Sequence, residues 1–296
     1  MELPLVSVVI LNWNGLPYVI TCLKSVLASD YPRFSVIVID NGSTDGSDKA
    51  IEMQFPNVLL YRMENNLGYA AGNNIGIVES LNKGCDYILL LNNDTEVPPN
   101  MIYSVVSDML QNPQAGVVGV KIYLLEEPDR FWAVGGVFRS NRLHTLGINE
   151  HDHGQYNNVK LDFVFGCGIL IKSEVFEKIG LLDTRFFFYY EDIDLCLRAK
   201  KAGFDVLLAS EATLKHKKRL ESQRASKFKA YQYERSRILF YCKYLVGRAK
   251  LWFVLAQIPH QIVSALRYIY HEKRLSMWLE GICGMFDGFS RCIRLC

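Results

Sequence analysis

Three places in this 296-residue chain combine residue types that could do chemistry. Asp94 directly follows an apolar run, where a carboxylate is costly unless it is paired or binds a cation. The pair Glu191-Asp192 follows five aromatic residues, which predicts a general base whose pKa is raised by burial. His216 opens a basic run, which predicts contact with a metal or a phosphate. A simple helix start at Glu191-Asp192 and a purely structural His216 are the open alternatives.

Asn and Asp residues follow each of the first four predicted strands. They are Asn12, Asn14, Asp40, Asn41, Asn65, Asn66, Asn92, Asn93 and Asp94. Turn formation explains any one such site, but parallel sheets bind ligands beyond the carboxyl ends of their strands. Gly42 belongs to the second of these strand ends, and the Gly-rich segment 65–76 leads into a helix whose N-terminus favours a phosphate. A ligand site at this edge of the sheet is therefore expected.

Strand and helix patterns alternate in the first third of the chain, which predicts an α/β fold with a doubly wound, mostly parallel sheet. The predicted strands there are Val6–Leu11, Ser35–Ile39, Val58–Arg62 and Tyr87–Leu91. Further strands are expected at Gly116–Tyr123, Asp162–Ile171 and Val206–Ala209, with a polar loop over Leu124–Asn158. From about Ala225 the pattern is helical.

Charge is distributed unevenly along the chain. Residues 217–296 carry 16 Lys and Arg against 5 Asp and Glu, an excess of +11, so the first 216 residues carry −9. Basic helices rich in aromatic residues bind anionic membrane surfaces, and we expect peripheral membrane contact through residues 225–296. An ordinary helical cap with a solvated basic face is the alternative. No nucleic-acid-binding motif accompanies the basic residues, so no nucleic acid partner is expected.

Several classes of protein are excluded or disfavoured. Half of the residues are apolar and 22% are charged, which excludes a disordered or collagen-like chain. No phosphate loop and no Gly-rich dinucleotide fingerprint follows the first strand, which disfavours NTPases and dehydrogenases. Eight cysteines without a CxxC pair predict reduced, buried thiols. With no secretory signal pattern and with Leu251–Leu266 interrupted by polar residues, we expect a cytoplasmic protein on the inner face of the cell membrane.

Six motifs carry a resemblance to a known family. They are VSVVILNWN, VIVIDNGSTDGS, NNLGYAAGNNIG, LLLNNDTEVPP, FGCGILIKSEVFEKIGLLD and FFYYEDIDLCLRAKKAGF. In order and spacing, residues 5–222 resemble the inverting family 2 glycosyltransferases of the GT-A fold, and most of all the rhamnosyltransferase-like branch of bacterial surface polysaccharide assembly. The resemblance implies a GT-A domain over 1–224, with a nucleotide-sugar-binding half (1–98) and an acceptor half (99–224), before a helical region over 225–296.

The resemblance also implies a reaction and roles for residues. A sugar would pass from a UDP- or dTDP-sugar, dTDP-rhamnose being one candidate, to a hydroxyl of a glycan or lipid-linked acceptor. Asp192, with Glu191 beside it, matches the catalytic base, and Asp94 and His216 match the site of a divalent metal, Mg²⁺ or Mn²⁺. The positions implied for donor binding are Leu11, Trp13, Asp40, Gly42, Asn66, Gly72, Asn73 and Asn93. The usual DxD reads Asn92-Asn93-Asp94 here, so a modest affinity for the metal is expected.

Two other functions compete with this interpretation. A nucleotidyltransferase shares the sheet and the metal, but it would place a basic residue after the first strand, and Asn12–Tyr18 contains none. A nucleotide-sugar-binding scaffold without activity is the non-enzymatic alternative, and the presence of both Asp94 and Asp192 disfavours it.

Overall fold

A ten-stranded sheet forms the centre of the first part of the molecule. The computed structural model describes residues 2–157, 159–217, 226–270 and 275–293. Residues 2–183 and 192–217 form one compact unit, and residues 184–191 together with the described residues from 226 onward form a second. The predicted boundary between residues 224 and 225 lies outside the described residues and stays a prediction.

The strands of the first unit follow one another with the helices between them. The strands are β1 Val6–Asn12, β2 Phe34–Asp40, β3 Leu59–Arg62, β4 Tyr87–Asn92, β5 Thr95–Glu96, β6 Ala115–Leu124, β7 Glu127–Ala133, β8 Gly135–Arg139, β9 Arg142–Leu146, β10 Lys160–Leu161, β11 Gly168–Lys172 and β12 Asp205–His216. The helices are α1 Leu16–Leu27, α2 Ser47–Gln54, α3 Tyr69–Asn82, α4 Met101–Gln111, α5 Ser173–Ile179 and α6 Glu191–Lys201.

The order of the main sheet is β10-β12-β6-β11-β4-β1-β2-β3. β1 pairs in parallel with β2 and β4, β2 with β3, and β6 with β12, whereas β11 runs antiparallel between β4 and β6. The predicted α/β fold with a mostly parallel sheet is confirmed. The polar residues that follow β1, β2 and β4 therefore emerge side by side at one edge.

Buried β-branched residues explain why the central segments form parallel strands. Val6, Val8, Val9 and Ile10 of β1 have no exposed surface, as expected of a parallel strand covered on both faces. α3 packs directly over β1, because a Cβ at Gly76 would lie 2.4 Å from Val9 Cγ1. Gly76, like Gly72 against Leu11, thus serves first to let this helix approach the sheet.

Three details of the sequence prediction are wrong. The expected loop over Leu124–Asn158 contains β7, β8 and β9; these strands carry many polar, half-exposed residues, which hides the strand pattern. The strand expected over Asp162–Ile171 is confined to Gly168–Lys172. The last strand extends to His216, well past Ala209.

An irregularity in β12 accounts for its unexpected length. Leu208 lies opposite Gly119 and Thr213 opposite Lys121, so residues 209–212 face the single residue Val120 of β6. Within this bulge, the backbone and side chain of Ser210 donate hydrogen bonds of 3.0 and 2.7 Å to Asp108 of α4. Beyond the bulge the strand resumes its pairing and continues to His216.

The second unit contains the helices α7 Lys227–Tyr244, α8 Gly247–Leu255, α9 Gln257–Tyr270 and α10 Leu275–Ile293. α7 and α10 pack along each other, with Gly284 and Gly288 of α10 against the backbone of α7. In the described ranges, no helix has the length and apolarity to cross a membrane. Five of the cysteines are buried free thiols, as predicted, whereas Cys283 is exposed.

Candidate active site

Asn12 connects three of the polar strand ends. Its Nδ2 atom donates hydrogen bonds of 2.8 Å to Asp40 Oδ1 and 2.8 Å to Ser47 Oγ. Its Oδ1 atom accepts a bond of 2.7 Å from Asn93 Nδ2. Asp40 also accepts the backbone N–H of Ser43 at 3.1 Å, so its buried carboxylate is held by several donors. The structure thereby brings together the predicted residues Asp40 and Asn93 through a side chain to which no role had been given.

Asn41 organises the loop before α3. Its Nδ2 donates to Asn66 Oδ1 at 2.9 Å, and its Oδ1 accepts the N–H of Leu67 at 3.0 Å. Gly42 has a φ of +75°, and a Cβ there would lie 2.8 Å from the backbone carbonyl carbon of Asn65. Only glycine suits both the left-handed conformation and this close approach.

The remaining candidates for donor binding have different surroundings. A Cβ at Gly72 would lie 2.5 Å from Leu11 Cδ1, so Gly72 packs against Leu11. Asn73 is buried, and its amide donates to Tyr69 O at 3.0 Å within α3. Trp13, by contrast, is exposed at the sheet edge, where its indole is available to a flat ligand.

Asp94 and His216 meet because β5 pairs antiparallel with the end of β12. His216 lies opposite Thr95, and the N–H of Lys217 donates to Asp94 O at 3.1 Å. His216 Nε2 is 3.4 Å from Asp94 Oδ1, and the Trp132 ring lies 5.5 Å from the imidazole. Within the described residues, the Nδ1 atom of His216 is buried and has no hydrogen-bond partner. The two residues predicted to bind a metal are thus brought together.

The donor set suits Mg²⁺ or Mn²⁺ when phosphate oxygens add to it. A carboxylate oxygen and an imidazole nitrogen are both acceptable ligands for such ions, and Mg²⁺ sites commonly take one or two carboxylates plus substrate phosphates. The described part of the chain holds no group of three His, Cys, Asp or Glu side chains placed for a metal. Asp94 and His216 therefore offer two of the ligands that such an ion takes.

Asp192 is held at the start of α6 by backbone donors. Its Oδ2 accepts the N–H of Gly166 at 2.9 Å, and its Oδ1 accepts the N–H of Ile193 at 2.8 Å. Burial raises the pKa of the Asp192 carboxyl above its ordinary value of 3.8, while these backbone bonds oppose the rise. The carboxylate is thus fixed in orientation and more basic than an exposed one, as a general base requires.

The other acids of the segment 191–194 have different environments. Asp194 is fully buried and forms an ion pair of 2.8 Å with Arg198, four residues later in α6. Arg198 also donates to the carbonyls of Ile179 and Leu181, both at 2.9 Å, so this pair has a structural role. Glu191 is buried as the first residue of α6.

The two residues before Glu191 are strained. Tyr189 and Tyr190 have φ values of +71° and +73°, in the left-handed region that bulky residues rarely adopt. Such conformations cost roughly 1–3 kcal/mol each and concentrate at functional sites. The strained residues lie immediately before Glu191 and Asp192, the catalytic candidates.

Cys167 connects the two halves of the site. Its thiol pKa is raised by burial first, and then by the charges of Asp192 and Asp94. Its backbone carbonyl accepts the N–H of Asn92 at 3.3 Å. Both acids therefore lie within electrostatic reach of one buried residue at the sheet edge.

Two contributors were not foreseen as site residues. The Tyr69 hydroxyl donates a hydrogen bond of 2.7 Å to the backbone carbonyl of Gly166, the residue whose N–H holds Asp192. Trp132 packs against His216 and, at 5.3 Å, against Phe165. An aromatic residue in a polar loop was a usable signal for Trp132, whereas nothing local marks Tyr69.

The fold is that of the GT-A glycosyltransferases. The family Glycosyl transferase family 2 matches residues 7–180, and the chain belongs to that family. This membership removes the nucleotidyltransferase alternative. The match does not extend to Asp192 or His216, so their roles remain proposals.

Two relatives and one solved structure are similar to this chain. An N-acetylglucosaminyl-diphospho-decaprenol L-rhamnosyltransferase of Mycobacterium tuberculosis is 29% identical over 245 residues, 73% of this chain and 76% of the relative. The dTDP-rhamnosyl transferase RfbF of Shigella flexneri is 25% identical over 182 residues, 61% of this chain and 59% of the relative. The mannosyltransferase PcManGT of Pyrobaculum calidifontis, in complex with GDP-Man and Mn²⁺, superposes with a TM-score of 0.60 at 15% identity, over 98% of this chain and 88% of that one.

Proposed function

We propose that the protein is an inverting glycosyltransferase that moves a sugar from a UDP- or dTDP-sugar to a hydroxyl group of a glycan or lipid-linked saccharide. The names of the two relatives make dTDP-rhamnose the first donor to test. The observation that carries the proposal is the placement of Asp192 and Asp94 on two adjoining segments: the N–H of Gly166 holds the Asp192 carboxylate, and the carbonyl of the next residue, Cys167, accepts the N–H of Asn92, two residues before Asp94. Transfer with inversion needs two such groups, one for the acceptor proton and one for the leaving group.

Asp192 is the proposed general base. Its carboxylate would accept the proton of the acceptor hydroxyl while that oxygen attacks the anomeric carbon. The nucleoside diphosphate departs from the opposite face, so a single displacement inverts the configuration. The backbone N–H groups of Gly166 and Ile193 keep the carboxylate oriented during the step.

Asp94 and His216 are the proposed holders of the divalent metal. When bound, Mg²⁺ or Mn²⁺ would neutralise charge on the departing diphosphate. Lys217 follows His216 directly and adds a positive charge at this end of the site, with its Nζ over the Tyr18 ring at 4.9 Å. The chain's own contribution is the pairing of β5 with β12, which holds an anionic ligand, Asp94, next to a neutral ligand, His216.

We assign the binding site of the nucleotide's uracil or thymine ring to the ends of β1 and β2. Asp40, fixed by Asn12, is proposed to accept a hydrogen bond from the N–H of a uracil or thymine ring. Trp13 offers an exposed indole, and Leu11 an apolar floor packed on Gly72. The other positions proposed for donor binding lie at the same edge, near the expected path of the ribose and phosphates: Asn66, Gly42, Asn73 and Asn93.

The lipid-linked acceptor and the location are parts of the same proposal. The M. tuberculosis relative is named for a decaprenol-linked substrate. We infer that this enzyme also works in peripheral contact with the inner face of the cell membrane, through residues 225–296.

The decisive experiment measures donor hydrolysis and binding. The purified protein is screened against UDP- and dTDP-sugars with and without Mn²⁺ or Mg²⁺, beside Asp94→Ala and Asp192→Asn. We expect metal-dependent release of one nucleotide from one donor, lost in Asp94→Ala. Asp192→Asn should bind the donor normally and lose transfer to acceptor by roughly 10²–10⁴-fold. Folded protein that binds no nucleotide sugar would overturn the proposal. Donor binding without hydrolysis or transfer, together with full biological function of Asp192→Ala, would favour the scaffold alternative.

A further inference from the structure

Helix α9 (Gln257–Tyr270) has its polar side turned toward the protein. Gln257 is buried, accepts a hydrogen bond of 2.6 Å from Arg237 of α7, and donates one of 2.6 Å to Phe253 O. One turn later, the side-chain amide of Gln261 donates hydrogen bonds of 3.5 Å to Glu234 Oε2 of α7 and to Met285 Sδ of α10. The backbone carbonyl of Gln261 accepts the indole N–H of Trp278 of α10 at 3.1 Å. The glutamines of α9 are therefore engaged with the helices beneath it.

The opposite side of α9 is apolar and exposed. Ile258, Ile262 and Leu266 recur at every fourth position, which places them on one face, and Val263 lies beside them. All four are between 56 and 69% exposed. A surface helix of a globular protein normally has the reverse arrangement, with its apolar stripe toward the core.

Helix α8 (Gly247–Leu255) extends this apolar surface. Leu251, Trp252 and Leu255 are 58, 70 and 49% exposed, and no residue of α8 is buried. Arg248 and Lys250 stand on the same short helix. The exposed apolar side chains of α8 and α9 are named the α8–α9 face: Leu251, Trp252, Val254, Leu255, Ile258, Ile262, Val263 and Leu266.

We propose that the α8–α9 face inserts into the headgroup and acyl boundary of an anionic bilayer, with both helices in the plane of the membrane. α9 has 14 residues, which at 1.5 Å per residue gives about 21 Å, less than the roughly 30 Å of a hydrocarbon core. Its buried glutamine contacts hold its long axis against α7 and α10. Trp252 is of the type that prefers the membrane–water interface.

Charge identifies the occupant as a lipid surface. Residues 217–296 carry an excess of +11, which attracts anionic headgroups and opposes the close approach of a second, equally charged copy. This inference deepens the proposed membrane location, but it depends on the polarity of the helices and not on the transfer reaction.

Vesicle binding tests the proposal on the full chain. The protein is sedimented with vesicles of phosphatidylcholine alone or mixed with phosphatidylglycerol. We expect binding to the mixed vesicles, lowered at least about tenfold in Ile262→Glu, because a charge at this position opposes insertion. Leu110→Glu is the matched control, since Leu110 is 52% exposed on α4, outside the second unit, and its change should leave binding intact.

Fluorescence gives a second readout that does not depend on a disruptive charge. Mixed vesicles should shift the tryptophan emission to shorter wavelength, and Trp252→Phe should lose most of that shift while still binding. Equal binding by Ile262→Glu and Leu110→Glu would overturn the proposal. So would a dimer in light scattering that Ile262→Glu converts to monomer, since it would give the face to a second copy.

The donor assay separates this inference from the proposed function. Hydrolysis of a water-soluble nucleotide sugar is measured without vesicles, and Ile262→Glu should retain it. Vesicle binding without hydrolysis of any donor would sink the proposed function and leave the membrane surface standing. Hydrolysis without vesicle binding would overturn the membrane inference and leave the proposed function standing.

Discussion

The Tyr69 hydroxyl donates a hydrogen bond of 2.7 Å to the carbonyl of Gly166, the residue whose own N–H is bound to Asp192 at 2.9 Å. Tyr69 is the first residue of α3, whereas Gly166 lies just before β11. A Cβ on Gly166 would lie 2.7 Å from the Tyr69 oxygen, so the contact is close as well as polar. The helix that borders the proposed donor site therefore also fixes the backbone that orients the proposed base.

Removal of this hydroxyl should affect the chemical step more than donor binding. We expect Tyr69→Phe to lower kcat by about 5–30-fold with little change in the donor KM, because one buried hydrogen bond is worth roughly 1–2 kcal/mol. Steady-state kinetics with the identified donor give the measurement. Tyr103→Phe, on the exposed surface of α4, is the control and should behave like the natural protein. A rise in KM with unchanged kcat would contradict the positioning role.

The raised pKa of Asp192 predicts a dependence on pH. The base must be ionised to accept a proton, so activity should fall as pH drops through the Asp192 pKa, which lies above the ordinary 3.8. The profile of kcat/KM against pH should therefore show an acid limb with an apparent pKa higher than that of an exposed aspartate. An acid limb at or below 3.8 would show that Asp192 is not the group that titrates.

The Asp94–His216 pair predicts a graded response to the metal. His216→Ala should raise the Mn²⁺ concentration needed for half-maximal activity by about 10–100-fold while keeping much of kcat at saturating metal, since the carboxylate remains. Titration of activity with Mn²⁺ makes the measurement. His144→Ala, on the exposed strand β9, is the matched control. Identical Mn²⁺ curves for the natural protein and His216→Ala would exclude His216 from the metal site.

Two glycines in the left-handed region offer a matched pair for stability. Gly42 and Gly46 have φ values of +75° and +80°, but only a Cβ at Gly42 would clash, at 2.8 Å from the Asn65 backbone. Gly46→Ala should cost about 1–2 kcal/mol of unfolding free energy from the backbone conformation alone. Gly42→Ala should cost roughly 1–3 kcal/mol more and should weaken donor binding, because the Asn65 backbone must move. Urea unfolding of both variants tests this, and equal losses would refute the steric argument.

The parallel half of the fold could be predicted because its signal is local. β1, β2 and β4 are buried, apolar runs, and their strand ends show the polar residues of the site. β7 and β9 were missed because their partly exposed residues do not alternate cleanly. The pairing of Asp94 with His216 depends on β5 meeting β12 across the sheet, a contact between distant segments that leaves no periodic trace. The position of Tyr69 against Gly166 is equally nonlocal, and only the packed structure reveals it.

The bulge in β12 makes the proposed metal site sensitive to the number of residues in the strand. His216 reaches Asp94 because four residues, 209–212, stand against one residue of β6 before the pairing resumes. Its two neighbours in the chain are Lys215 and Lys217. If the bulge keeps four residues against one, loss of one residue would bring Lys217 into the position opposite Thr95, and gain of one would bring Lys215 there. Either change would replace the proposed metal ligand His216 with an ammonium group that pairs with Asp94, so an insertion or deletion in the bulge would act as a substitution of His216.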